Sequence, residues 1–460
     1  MKTVAEQLID MQIGQSATYL LSIRGAHPAY MATLSDRLIE EGRHLGDNVV
    51  NINITSEPSS DYGGHRTVLV TDPRRETNGQ IGNGYVHPTL EEEELHEMVF
   101  GNSETIAVLR QLIEEGNRVV INPYKNSLHI DGLDIAIPDI EVLGPTGNLV
   151  ESWDNKFYQF SRFQESGLNV PPGEIVEGLN ELERKLAEID SEEGAFVTIK
   201  NSHSGLGSAR VRSVEDIRRR FTNPHETYLI TSWIKDIVCA PCCFGIVGDE
   251  GVLVLDPADQ IFENQVQYRG NIFPSILSRE LQNKVREENR KVGELLKKDD
   301  YRGIYCCDFI SDGKEIYLIE VNPRKFGHLS TLTLMYDAEG KVNIPQLILN
   351  SHFSEPIFNG EDKQQVGVNP NYNWSMYRIV QNTETPLILT KDISELVGET
   401  DEAKTFDSYG VVAVNPLAAG TIIHPGATLA RLCVYQPSRE DVLKAIRSTE
   451  ALIRQNTKPY

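Results

Sequence analysis

The residues with the clearest chemical potential lie in one stretch, 305–324, which reads YCCDFISDGKEIYLIEVNPR. Two apolar runs flank Asp312-Gly313, a strong hairpin signal. Asp308, Glu320 and Asn322 interrupt those runs with side-chain oxygens. Glu320 and Asn322 are two residues apart, so on a strand they project from one face. A three-residue connection at 312–314 places Asp308 on that same face, whereas a two-residue turn places it on the other. Carboxylates and an amide oxygen grouped in this way suit Mg²⁺, a hard cation that also keeps waters and phosphate oxygens. A solvated edge hairpin is the plainer alternative. Against it, Glu320 sits inside Tyr317-Leu318-Ile319-Glu320-Val321, where an unpaired buried carboxylate is costly.

Two lysines extend the pattern. Phe196-Val197-Thr198-Ile199-Lys200 reads as a strand ending in a cation, and Asn201-Ser202-His203-Ser204-Gly205-Leu206-Gly207-Ser208 follows it. Such a loop can bring backbone N–H groups to phosphate oxygens beside the point charge of Lys200, although most Gly/Ser loops are plain turns. Lys156 closes Ser152-Trp153-Asp154-Asn155-Lys156, at the head of a helix that ends before Pro171-Pro172-Gly173. Arg269, in Val266-Gln267-Tyr268-Arg269-Gly270-Asn271, fits either a bidentate hold on a substrate carboxylate or an ordinary salt bridge.

Other signals have bland readings. Cys239-Ala240-Pro241-Cys242-Cys243 contains a Cys-x-x-Cys, but no second pair has metal-site spacing, so buried structural thiols are expected. His328 borders the site or serves the core, and His203 touches phosphate or faces water. Glu91 to Glu94 suit a helix start, and Arg218 to Arg220 a helix face.

The chain has 460 residues, which suggests about three domains at roughly 150 residues each. Its 44 Lys+Arg against 67 Asp+Glu give a net charge of −23, which argues against nucleic-acid binding. Hydrophobic residues make up 40%, enough for real cores, yet no run approaches the ~18 apolar residues of a membrane span. Six cysteines and an acid-bearing start without a signal-peptide pattern fit a reduced, cytoplasmic protein.

Strand patterns at 18–23, 49–54, 68–70 and 119–121 alternate with helical patterns at 28–45 and 103–115, which predicts a doubly wound parallel sheet. Arg24-Gly25-Ala26-His27 follows the first strand in place of a Gly-x-Gly-x-x-Gly, so dinucleotide binding has no support. Turn formers at 143–148 suggest a boundary, strand pairs mixed with helices run to about 350, and a loop-rich passage follows. Strands near 411–414 and 429–434 and a helix at 439–455 end the chain. The expected division is a Rossmann-like domain at 1–150, a nucleotide- and metal-binding domain at 151–350 and a small β-rich domain at 351–460.

In order and spacing, Asp154-Asn155-Lys156, the strand ending at Lys200 with its glycine loop, a hinge strand at 228–234 and Asp308…Glu320-Val321-Asn322-Pro323-Arg324 together resemble the ATP-grasp superfamily. The last block is the most specific, being similar to the Glu-x-Asn-Pro-Arg stretch of carbamoyl-phosphate synthetases. The three-part layout resembles stand-alone carboxylate–amine ligases with a pre-ATP-grasp domain, of the pheganomycin peptide-ligase type. The resemblance implies an α/β and α+β ATP-grasp fold and an ADP-forming ligase that uses ATP and Mg²⁺. It implies that Lys156 and Lys200 contact the phosphates under a loop carrying Ser204, Gly205, Gly207 and Ser208. Asp308, Glu320 and Asn322 would hold Mg²⁺. Arg324, with Lys200, would act on the acyl-phosphate intermediate, and Arg269 would bind substrate.

The hinge departs from the pattern. Leu229-Ile230-Thr231-Ser232-Trp233-Ile234-Lys235-Asp236 leaves Asp236 as the one carboxylate near the ribose position. Small-molecule carboxylate and amine substrates are expected, in secondary metabolism. A carrier-protein thiol is the alternative acceptor, bicarbonate activation ranks lower, and a homodimer stays open. A nucleotide-binding protein with a dead site is the reading from another class, opposed by the intact Lys156, Lys200, Asp308, Glu320, Asn322 and Arg324.

Overall fold

The computed structural model describes residues 2–11, 16–24, 44–56, 66–70, 85–86, 90–189, 193–203, 206–263, 267–338, 342–358, 373–397, 410–413 and 416–460. Strands Thr18–Ile23, Val49–Thr55, Arg66–Leu69, Arg118–Pro123 and Glu141–Val142 pair in parallel, with Thr18–Ile23 at the centre between Val49–Thr55 and Arg118–Pro123. This is the parallel sheet that the alternating pattern predicts. Most of the predicted helix at 28–45 lies outside the described residues. Tyr19, Leu21, Val119 and Ile121 turn to one side of the sheet, onto helices Val4–Asp10, Glu92–Phe100 and Ser103–Glu114. Leu20 and Val120 turn to the other and join a core with Phe244, Phe326, Leu329 and Leu332. One face of the N-terminal sheet is therefore packed against the centre of the molecule.

A second, antiparallel sheet has four strands in the spatial order Gly173–Glu177, Thr227–Ser232, Ala195–His203 and Leu206–Val211. The third, with nine strands among the described residues, is the largest. At its heart Pro241–Gly248 pairs with Gly303–Ser311, which pairs in turn with Ile316–Asn322. On the other side it continues through Ala258–Glu263 and Gln267–Phe273 into Asn373–Val380 and Thr428–Gln436. Pro241–Gly248 is buried along its whole length, as a strand covered on both faces must be. Helix Arg279–Lys298 covers one face through Leu281, Val285, Val292 and Leu296, against Cys243, Val247, Tyr305 and Cys307. Helices Leu329–Ala338 and Ile344–His352 cover part of the other, against Phe244 and Ile246.

The C-terminal helix Arg439–Gln455 buries Val442, Ile446 and Ile453 against Leu429, Leu432 and Val434 of its own sheet. That settles where this apolar stripe packs.

Helix Gly147–Asp154 is fixed at both ends. Asp131 accepts hydrogen bonds from Gly147 N at 2.6 Å and Asn148 N at 2.7 Å, a carboxylate on the positive end of the helix dipole. A Cβ at Gly147 would fall 2.1 Å from the Ser127 carbonyl carbon, so only glycine lets the helix start here. At the far end Asn155 (φ −73°, ψ 108°) breaks the helix and caps the next, its Oδ1 accepting from Phe157 N at 3.0 Å and Tyr158 N at 3.4 Å. Lys156 thus becomes the first residue of helix Lys156–Glu165, the predicted position. Gly147→Ala should destabilise the protein by ~2 kcal/mol or more, because the obstruction is backbone. Chemical denaturation checks this, and an unchanged midpoint would contradict the packing.

Candidate active site

The hairpin brings Asp308, Glu320 and Asn322 to one face by a different route from the one the sequence suggests. The connection has four residues, Asp312 to Glu315, between the paired Ser311 and Ile316. By itself that parity would turn Asp308 to the opposite face. The register then shifts between Phe309↔Leu318 and Asp308↔Glu320, leaving Ile319 as an extra, half-exposed residue. This bulge restores the parity, so Asp308 lies directly across from Glu320 and Cys306 across from Asn322. Asp312 Oδ1 closes the turn by accepting from Lys314 N and Glu315 N, both at 2.8 Å.

Around these oxygens the side chains form a connected network. Asp308 accepts from Gln260 Nε2 at 2.7 Å and from Asn322 Nδ2 at 3.0 Å. The Asn322 carbonyl accepts from Arg324 at 2.8 Å, and Arg324 donates to Tyr124 Oη at 3.0 Å. Two guanidiniums approach the Tyr124 ring, with Arg24 4.1 Å and Arg324 5.5 Å from its centroid. Lys156 Nζ forms a hydrogen-bonded ion pair with Glu320 Oε2, and Lys125 forms one with Asp154. Lys325, which is buried, donates to the Pro123 carbonyl at 2.6 Å and ties the Arg324 loop to the end of the central N-terminal strands. The cluster therefore spans the carboxyl edge of the parallel sheet and the nine-stranded sheet.

Electrostatics separates the two carboxylates. Burial, and then the charge of Glu320, push Asp308 up to about 7. For Glu320 burial acts in the same sense, but Lys156 and Arg324 outweigh it and hold the carboxyl below its ordinary range. The Lys156 ammonium, despite burial, is raised by Glu320. Burial also opposes the Arg324 charge, and Tyr124, Asp154, Glu320 and Asp308 overcome it. Two facing acids, one of them holding its proton to near neutrality, form a donor set that a divalent cation would relieve, and all the donors are oxygens. The residues fit Mg²⁺.

The other expected residues are placed as follows. Lys200 stands on strand Ala195–His203 of the four-stranded sheet, a different sheet from Asp308, Glu320 and Asn322, and is exposed. Gly207 and Ser208 lie on the neighbouring strand Leu206–Val211, where Gly207 has a φ of +79° and Ser208 Oγ meets Thr198 Oγ1 at 2.6 Å. Ser204 and Gly205 lie outside the described residues. Asp236 is exposed in a left-handed turn, φ +51°, just past the hinge strand Thr227–Ser232. Arg269 is buried in an ion pair with Glu263 (Nε to Oε2, 2.7 Å) and donates to Gln267 at 3.0 Å. Its guanidinium is thus engaged by its own strand pair, whereas the adjacent Tyr268 faces His328 Nδ1 at 3.3 Å and donates to Asn271. Burial holds His328 down at about 3, a neutral imidazole packed among Phe244, Phe273 and Phe326.

Sequence reasoning missed Tyr124, Lys125, Gln260 and Arg24. The first two directly follow strand Arg118–Pro123, and carboxyl ends of parallel strands are where ligands gather, so the rule for open α/β sheets could have flagged them.

Residues 153–328 match the ATP-grasp domain family. The chain carries an ATP-grasp domain. Over 218 residues, 45% of the chain, it is 25% identical to a butirosin acyl-carrier-protein L-glutamate ligase of Niallia circulans. It spans about half the length of that relative, 51%. The fold is similar to the biotin carboxylase domain of Hydrogenobacter thermophilus 2-oxoglutarate carboxylase, solved with MgADP and bicarbonate. The TM-score there is 0.66 at 15% identity, over 97% of this chain and 91% of that one. Carboxyaminoimidazole ribonucleotide synthase of Aspergillus clavatus, complexed with ATP, gives 0.57 at 15% identity, over 95% and 98%. The likeness in fold to these two structures extends along nearly the whole chain. Among the described residues no helix is long and apolar enough to cross a membrane.

The raised Asp308 makes a signed prediction. Its folded value near 7 exceeds an unfolded value of about 3.9, so the folded state binds the extra proton and metal-free stability falls as pH rises across that window. Asp308→Asn should remove this loss. In chelator, the variant's melting temperature should pull ahead of wild type by several degrees between pH 5 and pH 8, and a pH-independent gap would contradict the assignment.

Proposed function

We propose that the protein activates a small carboxylate or amino acid as an acyl phosphate and joins it to an amine, forming an amide and releasing ADP and phosphate. The observation that carries this reading is the joining of Asp308, Glu320 and Asn322 to Lys156 and Arg324 on an ATP-grasp domain. Mg²⁺ held by Asp308, Glu320 and Asn322 would supply charge neutralisation at the phosphates. Lys156 swaps its partner Glu320 for phosphate oxygens, and Lys200 approaches from the four-stranded sheet, with Ser204, Gly205, Gly207, Ser208, Asp236 and the hinge strand around the nucleotide. A carboxylate oxygen attacks the γ-phosphorus and ADP leaves. An amine nitrogen then attacks the acyl carbon, phosphate leaves and the amine gives up a proton. Arg324, fixed by Asn322 and Tyr124, meets the negative charge that develops in both steps. On this reading Arg269 holds a substrate carboxylate by exchanging its partners Glu263 and Gln267 for it. The three-domain division at about 150 and 350 belongs to the same proposal.

A second acceptor is supported by one comparison, since the Niallia circulans relative is named for ligating glutamate to an acyl-carrier protein. A carrier thiol would replace the amine nitrogen in the second step and leave the first unchanged.

Pairs of carboxylates with amines, or with a loaded carrier protein, should release ADP and phosphate in step with a coupled product seen by mass spectrometry. AMP and pyrophosphate as products would overturn the acyl-phosphate route. Glu320→Gln should lower kcat by ~10³-fold, the scale for losing a charge-stabilising group. Tyr124→Phe removes one hydrogen bond to a charged partner, which corresponds to about a 10-fold loss. Steady-state kinetics should place that loss in kcat, with the KM for ATP unchanged.

A further inference from the structure

Two buried thiols adjoin the carboxylate cluster and have no part in the chemistry above. Cys242 lies on strand Pro241–Gly248 directly across from Asp308, and Cys306 precedes Asp308 by two on Gly303–Ser311. All three therefore project from the site-facing side of the sheet. One ligand atom from each, the two sulfurs and a carboxylate oxygen, lies within 4.8 Å of the others. Cys306 Sγ is 3.8 Å from Asp308 Oδ1, and Asn271 Nδ2, on strand Gln267–Phe273, donates to Cys242 Sγ at 2.8 Å. Their sequence neighbours Cys243 and Cys307 also pair across the strands, but on the opposite face, sealed among Tyr305, Leu296 and Trp153. A structural role as small apolar fillers accounts for that second pair. The first pair also belongs to a buried core, with Phe244 and Phe273, but unlike the second it borders a carboxylate and a polar network.

The geometry points to a second cation site, formed by Cys242, Cys306 and Asp308, for a soft divalent ion of the zinc and cadmium class. Tetrahedral Zn²⁺ with sulfur at ~2.3 Å places its ligands about 3.7 Å apart, so these atoms need to close by roughly 1 Å or less. Thiolates select against Mg²⁺, a hard ion, and in favour of Zn²⁺ and Cd²⁺. On binding, each sulfur passes its proton to solvent, and water completes the coordination. Asp308 is common to both donor sets. A soft ion bound here takes Asp308 from the oxygen set, so zinc inhibits turnover in competition with magnesium. This inhibitory effect rests on the ligase reading; the binding itself does not.

Cadmium alone, titrated into the full-length metal-free protein, reads the site through the ultraviolet cadmium–thiolate charge-transfer band, with no need for turnover. One equivalent should give the absorbance of two thiolates. Cys306→Ala and Cys242→Ala should each halve that absorbance and weaken binding at least ten-fold. Asp308→Asn, with both thiols intact, should weaken it comparably, which covers the case of a cysteine variant that does not fold. Cys239→Ala, whose thiol lies by Asp259 and Arg439, should leave the band unchanged. No band at stoichiometric cadmium, or a band unaltered in Cys306→Ala and Asp308→Asn, overturns the site. If the protein turns over, zinc should inhibit wild type at ten-fold lower concentration than Cys306→Ala.

Discussion

Everything at the site depends on the pairing register of one hairpin. Asp308 meets Glu320 because strand Ile316–Asn322 carries one residue more than its partner needs, and that residue, Ile319, is extruded. A shift of one position would turn Asp308 into the packed face occupied by Phe309 and Tyr305. The bulge decides which acids share a face, and with that their mutual repulsion and their value for holding a cation. Two buried carboxylates opposite each other are unfavourable by themselves. The surrounding cations Lys156 and Arg324 make them tolerable, Gln260 and Asn322 donate to the Asp308 oxygens, and Lys156 donates to Glu320.

Those compensating groups come from separate parts of the chain. Lys156 arrives at the head of its helix because Asn155 interrupts the preceding one, and Asp131 anchors that one at its start. Arg324 is oriented by Tyr124 from the N-terminal sheet, and Lys325 secures the same junction. The N-terminal lobe thus reaches the cluster through Tyr124, whose ring both Arg24 and Arg324 approach. The acidic surface of the molecule says little about this interior, where Lys156 pairs with Glu320 and Lys125 with Asp154.

The ends of the network differ in exposure. Asp308 and Glu320 are set within packed strands and Lys156 at the head of its helix, whereas Lys200 is exposed on a separate four-stranded sheet. A nucleotide that engages both sheets would bridge these elements, with the rigid hairpin on one side and the 201–208 strand ends on the other. The thiol pair Cys242 and Cys306 lies on the rigid side, next to the most polar point of the sheet.

How much of this was legible beforehand follows from the physics of each element. Periodicity alone determined the parallel N-terminal sheet, the hairpin at 303–322 and the helix beginning at Lys156, since strands and helices write their burial into local spacing. The oxygen donors were legible because polar residues in an apolar strand are costly and so conspicuous. The face shared by Asp308 and Glu320 was legible only by assuming a three-residue turn; the true turn has four residues, and a bulge corrects it. Bulges leave no periodic signature. Gln260 was invisible because it looks ordinary in its own segment, and Tyr124 and Lys125 were marked only by following the end of a parallel strand; all three gain their meaning from neighbours far away in sequence. Likewise Arg269 read equally as a ligand contact or an ion pair, and only the fold supplied Glu263 as its partner. Local sequence determined which groups were present and which strands carried them; only the tertiary structure decided which charges would meet, because charge pairing depends on distances that no local pattern encodes.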